Sequence, residues 1–263
     1  MDGILLTGAA SGIGRATAER LLAEGHTVIG IDRRWDGTVE GIRAFTADVT
    51  DYESLKGVAD TLRAEGITLR AIVSVAGIHA MHAFAEGDAA VADRLITVNL
   101  LGAMHTVRAF HPLLAKDGRV VLVTSEVATL APLPFNGLYS VSKSALECYA
   151  QALRQELGLL GQKVVTVRPG AVKTPLADGS ATATRRLAKE TVLYQRQAGK
   201  FERIVSRFTG TPLAPERFAP TLCRAILAKR PRLSYAKHRN PGLLLLGHLP
   251  KRMQCAIVRW LLR

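Results

Sequence analysis

The segment Thr7-Gly8-Ala9-Ala10-Ser11-Gly12-Ile13-Gly14 constrains this chain more than any other. It joins a short apolar run, Ile4–Thr7, to a stretch with helical spacing, Gly14–Ala23. Glycines permit a tight turn there and let backbone N–H groups approach a pyrophosphate, which the positive end of the helix dipole also favours. A second apolar run, Thr27–Ile31, ends at an acid, Asp32. Strand, glycine turn, helix, strand and acid together are the signature of a dinucleotide-binding βαβ unit. A carboxylate at Asp32 can accept hydrogen bonds from both adenosine ribose hydroxyls and would repel a 2′-phosphate, which favours NAD(H) over NADP(H). Arg33 and Arg34 pull the other way, because a guanidinium pairs with phosphate. Ser11 brings no positive charge to help them.

The same alternation continues downstream. Leu55–Ala64 reads as a helix, Ala71–Val75 as a buried strand, Val91–Leu114 as one long helix stopped near Gly118, and Val120–Thr124 as a strand. Tyr139–Leu157 is helical and Val164–Val167 is a strand ending in Arg168-Pro169-Gly170. Repeated β-α-β order predicts an α/β, single-domain Rossmann fold over residues 1–263, a doubly wound parallel sheet with helices on both faces. Residues 175–212 break the rhythm. They are polar and basic, follow a strand's carboxyl end, and read as a substrate lid with one or two short helices.

The catalytic signal is Tyr139-Ser140-Val141-Ser142-Lys143. A free tyrosine has a pKa near 10 and is a poor base at neutral pH. Lys143 lies at i+4, on the same helix face. Its ammonium, with a positive nicotinamide, favours phenolate; lowering the pKa by about 3 units needs roughly 4 kcal/mol. Tyr139 then takes a proton from an alcohol as hydride leaves carbon, or returns it in reduction. Ser125, just after the strand Val120–Thr124, is placed to hold the substrate oxygen beside Tyr139.

These motifs, with Asp48-Val49, Val98-Asn99 and Pro169-Gly170 followed by Thr174, resemble the short-chain dehydrogenase/reductase family from residue 4 to about 175. The resemblance implies a catalytic set of Ser125, Tyr139, Lys143 and Asn99. In it, Asn99 holds a water linking Lys143 to solvent, and Lys143 also meets the nicotinamide ribose hydroxyls. It assigns cofactor contacts to Gly8, Ser11, Gly12, Ile13, Gly14, Asp32, Arg33, Asp48, Val49, Ala76, Gly77, Tyr139 and Lys143. Pro169, Gly170 and Val172 pass under the nicotinamide, and Thr174 meets its amide or phosphate side. Two departures stand out. Ser74-Val75-Ala76-Gly77 replaces the family's Asn-Asn-Ala-Gly, and Glu126 follows Ser125, either as a surface acid or as a bias against anionic substrates.

Pro132–Gly137 is similar to the segment of relatives acting on hydroxysteroids and retinols, which implies a bulky apolar alcohol or ketone, steroid-like or retinoid-like. The C-terminal strand of tetrameric members is missing, so a homodimer through the long helices is expected. Charge is divided unevenly: residues 1–180 hold 17 Lys/Arg and 19 Asp/Glu, residues 181–263 hold 18 and 3. Such asymmetry suggests an anionic neighbour. From Lys251 to Arg263, Met253, Ala256, Ile257, Trp260 and Leu261 follow helical spacing, with Lys251, Arg252, Arg259 and Arg263 on the other side. That basic amphipathic tail, within about 240–263, suits either an anionic membrane surface or packing on its own domain or a partner subunit. No motif that reads nucleic acid accompanies the charge.

Three cysteines without metal-ligand spacing point to a reduced compartment and no metal site. The first apolar run starts three residues after Met1, leaving no room for a signal peptide, and no stretch reaches the roughly 18 apolar residues of a spanning helix. A cytoplasmic protein is expected, peripheral on a membrane surface if the tail binds there. Two other functions fit the same residues. One is a 3-oxoacyl-carrier-protein-type ketoreductase, whose basic third meets an acidic carrier. The other is a nucleotide-sensing or scaffold protein, against which the full Ser125, Tyr139, Lys143 and Asn99 set argues.

Overall fold

A computed structural model describes residues 2–37, 39–208 and 210–263, without the side chains of residues 178, 180, 181 and 208. The chain opens as β1 (Asp2–Thr7), α1 (Gly12–Ala23), β2 (Thr27–Asp32), β3 (Arg43–Thr46), α2 (Tyr52–Ala64) and β4 (Thr68–Ser74). It continues through α3 (Ala89–Ile96), α4 (Gly102–Phe110), β5 (Leu114–Val123), α5 (Gly137–Gly158) and β6 (Lys163–Pro169). The last third is α6 (Pro175–Glu190), α7 (Gln195–Phe208), α8 (Pro215–Leu227), β7 (Ser234–Lys237), α9 (Pro241–His248) and α10 (Lys251–Leu262). All the strands pair in parallel, in the order β3-β2-β1-β4-β5-β6-β7.

Strand alternation distributes the core. In β1, Ile4 and Leu6 face α1 and α8, packing with Val28, Val73, Phe218 and Leu222. Leu5 faces the opposite way, among Ile29 of β2 and Leu55, Val107, Phe110 and Leu146 of α2, α4 and α5. Each strand thus needs apolar residues on both sides, because helices cover both faces. The strand order reverses between β1 and β4, and the carboxyl ends of strands open there into a crevice.

The expected long helix Val91–Leu114 is three pieces. A π-turn, Thr97–Leu101, separates α3 from α4, and a 3-10 turn, His111–Leu113, ends α4. Pro112 explains the early stop, since it has no N–H to continue the helix. β5 starts at Leu114, ahead of the expected Val120, but its early part is out of register: Leu69 pairs Leu114 and Ala71 pairs Arg119. Residues 115–118 therefore bulge, and the regular ladder begins near the expected strand.

The expected lid holds two helices, neither short: α6 has 16 residues and α7 has 14. Thr209, within it, lies outside the described residues. Both ends of the insertion meet at one clasp. Lys173 donates its N–H to Leu213 O at 2.9 Å, and Leu213 returns one to Ala171 O at 2.9 Å. Among the described residues, no helix is long and apolar enough to cross a membrane.

Candidate active site

The glycine turn is built as its sequence requires. Gly8 has φ +69°, and a side chain there would meet Ala76 N at 2.8 Å. A Cβ at Gly14 would fall 1.9 Å from Gly8 O. Both positions exclude any other residue. Ser11 is extended and precedes α1 without capping it through its side chain, so the first N–H groups of α1 face the crevice. Ile13 and Gly12 line the same space. Asp32, at the end of β2, accepts the Ala10 N–H at 3.0 Å and thereby ties the turn to the acid. Arg33 is exposed at the rim.

A cleft of about 1620 Å³ runs from this turn across the carboxyl ends of β1, β4, β5 and β6. Asp48 shapes the end near β2 and β3 by accepting both the N–H and the hydroxyl of Thr50, at 2.9 and 2.8 Å. Val49, Ala76 and Gly77 line it as well. At the far end, Gly170 passes so close to β7 that a Cβ would sit 1.8 Å from His238 O. Pro169 and Val172 flank it, and Thr174 caps α6, its hydroxyl accepting the Ala177 N–H. These residues form one continuous wall, and the glycine cradle with its free helix N–H groups fits a dinucleotide pyrophosphate.

The reacting groups gather midway. Tyr139 and Lys143 stand one turn apart on α5, both buried, and Ser125 lies buried at the end of β5. Ser125 and Tyr139 line the same stretch of the cleft, and the Ser125 hydroxyl favours the ionised phenol. Lys143 Nζ donates to Val123 O at 3.2 Å and lies 5.9 Å from the Tyr139 ring centre. Burial pushes the Tyr139 phenol up to about 12, against a lowering by Ser125, and pushes the Lys143 ammonium down to about 8. Without the positive nicotinamide, burial therefore dominates and the expected net lowering of the phenol is not reached. Desolvation of a fully buried phenolate outweighs a cation that is itself desolvated.

Asn99 sits in the π-turn, which resolves its poor fit to a helix interior. Its Oδ1 accepts Ile78 N–H at 2.8 Å, and its Nδ2 donates to Ile78 O at 2.9 Å and Ser142 Oγ at 3.1 Å. The amide therefore ties the loop after β4 to α5. A Cβ on Gly77 would lie 3.1 Å from Asn99 Oδ1 and 3.4 Å from Lys143 Nζ, so the glycine lets both polar groups crowd in.

Two site residues escaped the sequence reading or were misjudged there. His79 packs against Tyr139, with ring centres 4.6 Å apart, and bonds Asn136 Oδ1 at 2.9 Å. Burial holds its pKa below the usual histidine value. No motif marks it; only its position two residues after Gly77 could have drawn attention. Glu126 is not a surface acid. It is buried, lines the cleft, and accepts the Asn240 N–H at 2.6 Å, so burial raises its pKa. From the lid, Leu176, Thr184, Arg185, Glu202 and Val205 reach the cleft.

Comparison with known proteins places this geometry. The family described as short chain dehydrogenase matches residues 2–185. The 3-ketodihydrosphingosine reductase of Bacteroides thetaiotaomicron is 26% identical over 233 residues, 87% of this chain and 84% of that protein. The mouse estradiol 17-beta-dehydrogenase 2 is 33% identical over 204 residues, 71% of this chain, and the match spans about half (52%) of the mouse protein. Among solved structures, a short-chain dehydrogenase from Streptomyces avermitilis superposes with a TM-score of 0.77 at 28% identity, covering 98% of this chain and 95% of that one. One from Burkholderia cenocepacia, in complex with NADP, gives 0.73 at 22% identity, covering 100% and 97%.

Proposed function

The chain belongs to the short-chain dehydrogenase family of nicotinamide-dependent oxidoreductases, and we propose that it moves a hydride between NAD(H) and the carbinol carbon of a bulky apolar secondary alcohol or ketone. The observation that carries this reading is the convergence of Ser125 and Tyr139, with Lys143 buried one turn away, at the middle of the glycine-walled cleft. When bound, the nicotinamide ring supplies or takes up the hydride and, oxidised, adds a positive charge beside the phenol. In reduction, Ser125 donates a hydrogen bond to the carbonyl oxygen and Tyr139 gives that oxygen its proton as hydride reaches the carbon. Oxidation reverses these transfers. A phenol near 12 already holds the proton that reduction needs. Working as a base at neutral pH demands about 5 units of lowering, or roughly 7 kcal/mol, from the cations gathered around it.

Lys143 and Gly77 form the part of the wall suited to the nicotinamide ribose, with Asn99 buried behind them. Asn99 acts on the site mainly by fixing Ile78 and Ser142; its second Oδ1 lone pair is what remains for a water. Asp32 supports NAD(H) over NADP(H), because its carboxylate is fixed against the glycine turn where a 2′-phosphate would lie. The relatives named for 3-ketodihydrosphingosine and estradiol support an apolar substrate. A homodimer through α4 and α5 is supported by Leu101, Met104 and Val141, exposed on those helices and the preceding π-turn. The basic tail supports a peripheral contact with an anionic membrane surface.

A second reading, reduction of a carrier-bound acyl ketone, draws on the cationic last third: Glu216 is the last acid of the chain. An absorbance screen at the nicotinamide band, with both cofactors and a panel of steroids, retinoids, long-chain ketones and carrier-bound acyl ketones, tests both. NADH-coupled turnover of free apolar ketones is expected. Salt-sensitive turnover of carrier-bound substrate alone would favour the second reading, and no turnover across the panel would defeat both.

A further inference from the structure

The chain ends in a surface that water does not explain. α9 contains four consecutive leucines, Leu243 to Leu246, and buries none of its residues. α10 docks through Val258 and Leu262 onto Phe201 of α7, in a small cluster with Ala83, Phe135 and Tyr194. Trp260 is left 77% exposed and Met253 49%. Three other exposed apolar side chains are immediate chain neighbours of that cluster: Phe84 follows Ala83, Leu193 precedes Tyr194, and Leu261 precedes Leu262. Glu86 fastens the first two segments together by accepting the N–H groups of Val192 and Leu193 and the hydroxyl of Thr191. Three distant segments therefore carry exposed apolar side chains next to residues of one cluster.

The charge of the tail itself has one sign. Lys251, Arg252, Arg259 and Arg263 are exposed on α10, and no acid follows Glu216. A second copy packed tail to tail would set the four tail cations of each chain against each other, with no carboxylate in either tail. An anionic bilayer meets both features, because its interface takes exposed tryptophan and leucine while its headgroups take the cations.

We propose that this lid-and-tail surface lies on an anionic lipid bilayer, and that apolar substrate passes from the bilayer into the cleft beneath the lid. The inference rests on the apolar substrate proposed above. Its route is short: Val205, one turn from Phe201 on the same face of α7, packs against the cluster that receives the tail and also lines the cleft. Glu126, next to Ser125, holds the backbone at the start of α9.

The test uses the full chain with vesicles of phosphatidylcholine alone and with about 30% phosphatidylserine added. Each cation near an anionic leaflet strengthens partitioning about fivefold, so four give several hundredfold at low salt, weakening as salt rises. Trp35→Phe leaves Trp260 as the sole tryptophan, whose emission should shift to the blue on anionic vesicles only. The double variant Trp260→Ser/Leu261→Ser should bind these vesicles at least about tenfold more weakly. It should raise KM about tenfold for a ketone embedded in them, while leaving kcat/KM for a water-soluble ketone within about twofold. Unchanged vesicle binding in the variant would overturn the proposal. So would no wild-type binding at low salt, or a solution dimer that the variant converts to monomer. Vesicle binding without turnover of any ketone would leave the docking surface standing and refute the substrate class instead.

Discussion

Replacing Lys143 by Met should move the pH dependence of alcohol oxidation and stabilise the fold, and the two effects share one cause. Lys143 Nζ lies 5.9 Å from the Tyr139 ring centre. At an effective dielectric near 20, opposite charges about 6 Å apart attract by roughly 3 kcal/mol, or about 2 pKa units. Without the ammonium, the acidic limb of kcat should shift up by about 2 units, costing about 100-fold near pH 7 and less as pH rises. The lysine and tyrosine titrate as a pair, so the limb belongs to both. Stability moves the other way. The Lys143 pKa is about 8 in the fold against 10.5 for the ordinary group. The unfolded chain therefore binds more protons between those values, and wild-type stability rises with pH across that window. Below it the buried ammonium costs up to about 3 kcal/mol, which Met removes, less the value of the bond to Val123 O. Steady-state rates from about pH 6 to about 10, with urea unfolding at the same values, check both. A limb that stays within about half a unit of wild type, with NAD(H) affinity intact, would refute the assignment of Lys143 as the cation acting on Tyr139.

Tyr139→Phe should lower kcat by about 1000-fold while leaving NAD(H) binding, followed by fluorescence titration, unchanged; a tenth of wild-type turnover would remove Tyr139 from the chemistry. Asp32→Ser removes both the anchor on Ala10 N–H and the charge that opposes a 2′-phosphate. The ratio of kcat/KM for NADPH over NADH should rise about tenfold, and a constant ratio would show that Arg33 or the turn sets the preference. Glu147 accepts two bonds from Arg168, both at 2.8 Å, and one from the Thr124 hydroxyl at 2.6 Å, in a mostly buried setting. Glu147→Ala should cost about 3 kcal/mol in urea unfolding by stranding that guanidinium beneath Pro169 and Gly170. A loss under about 1 kcal/mol would mean that water replaces the carboxylate.

The parts of the site legible in the sequence are those set by short stretches of chain. Gly8 and Gly14 are demanded by the local turn, and Tyr139 and Lys143 by one helical turn. Asp32 meets the glycine turn only 22 residues away. The illegible parts are bonds across long separations: His79 to Asn136 over 57 residues and Glu126 to Asn240 over 114. Nothing near His79 distinguishes it from an ordinary loop histidine; it becomes part of the site because Asn136 comes to meet it. The long helix failed for a related reason. Apolar spacing persists through Thr97–Leu101, but Asn99 reaches Ile78, 21 residues back, and the backbone widens into a π-turn there.

The tail shows where periodicity stops being informative. The stripe Met253, Ala256, Ile257, Trp260 and Leu261 predicts a helix, and α10 is that helix. It does not follow that the stripe is the buried side. Val258 and Leu262, one turn apart and just beside it, are the residues that pack inward, because Phe201 of the lid supplies their partner. A helical face is apolar for whatever covers it, and here two neighbouring faces have two uses. One packs against α7 of its own domain. The other keeps Met253, Trp260 and Leu261 outward beside the tail cations, a costly arrangement in water that the proposed lipid interface would make favourable.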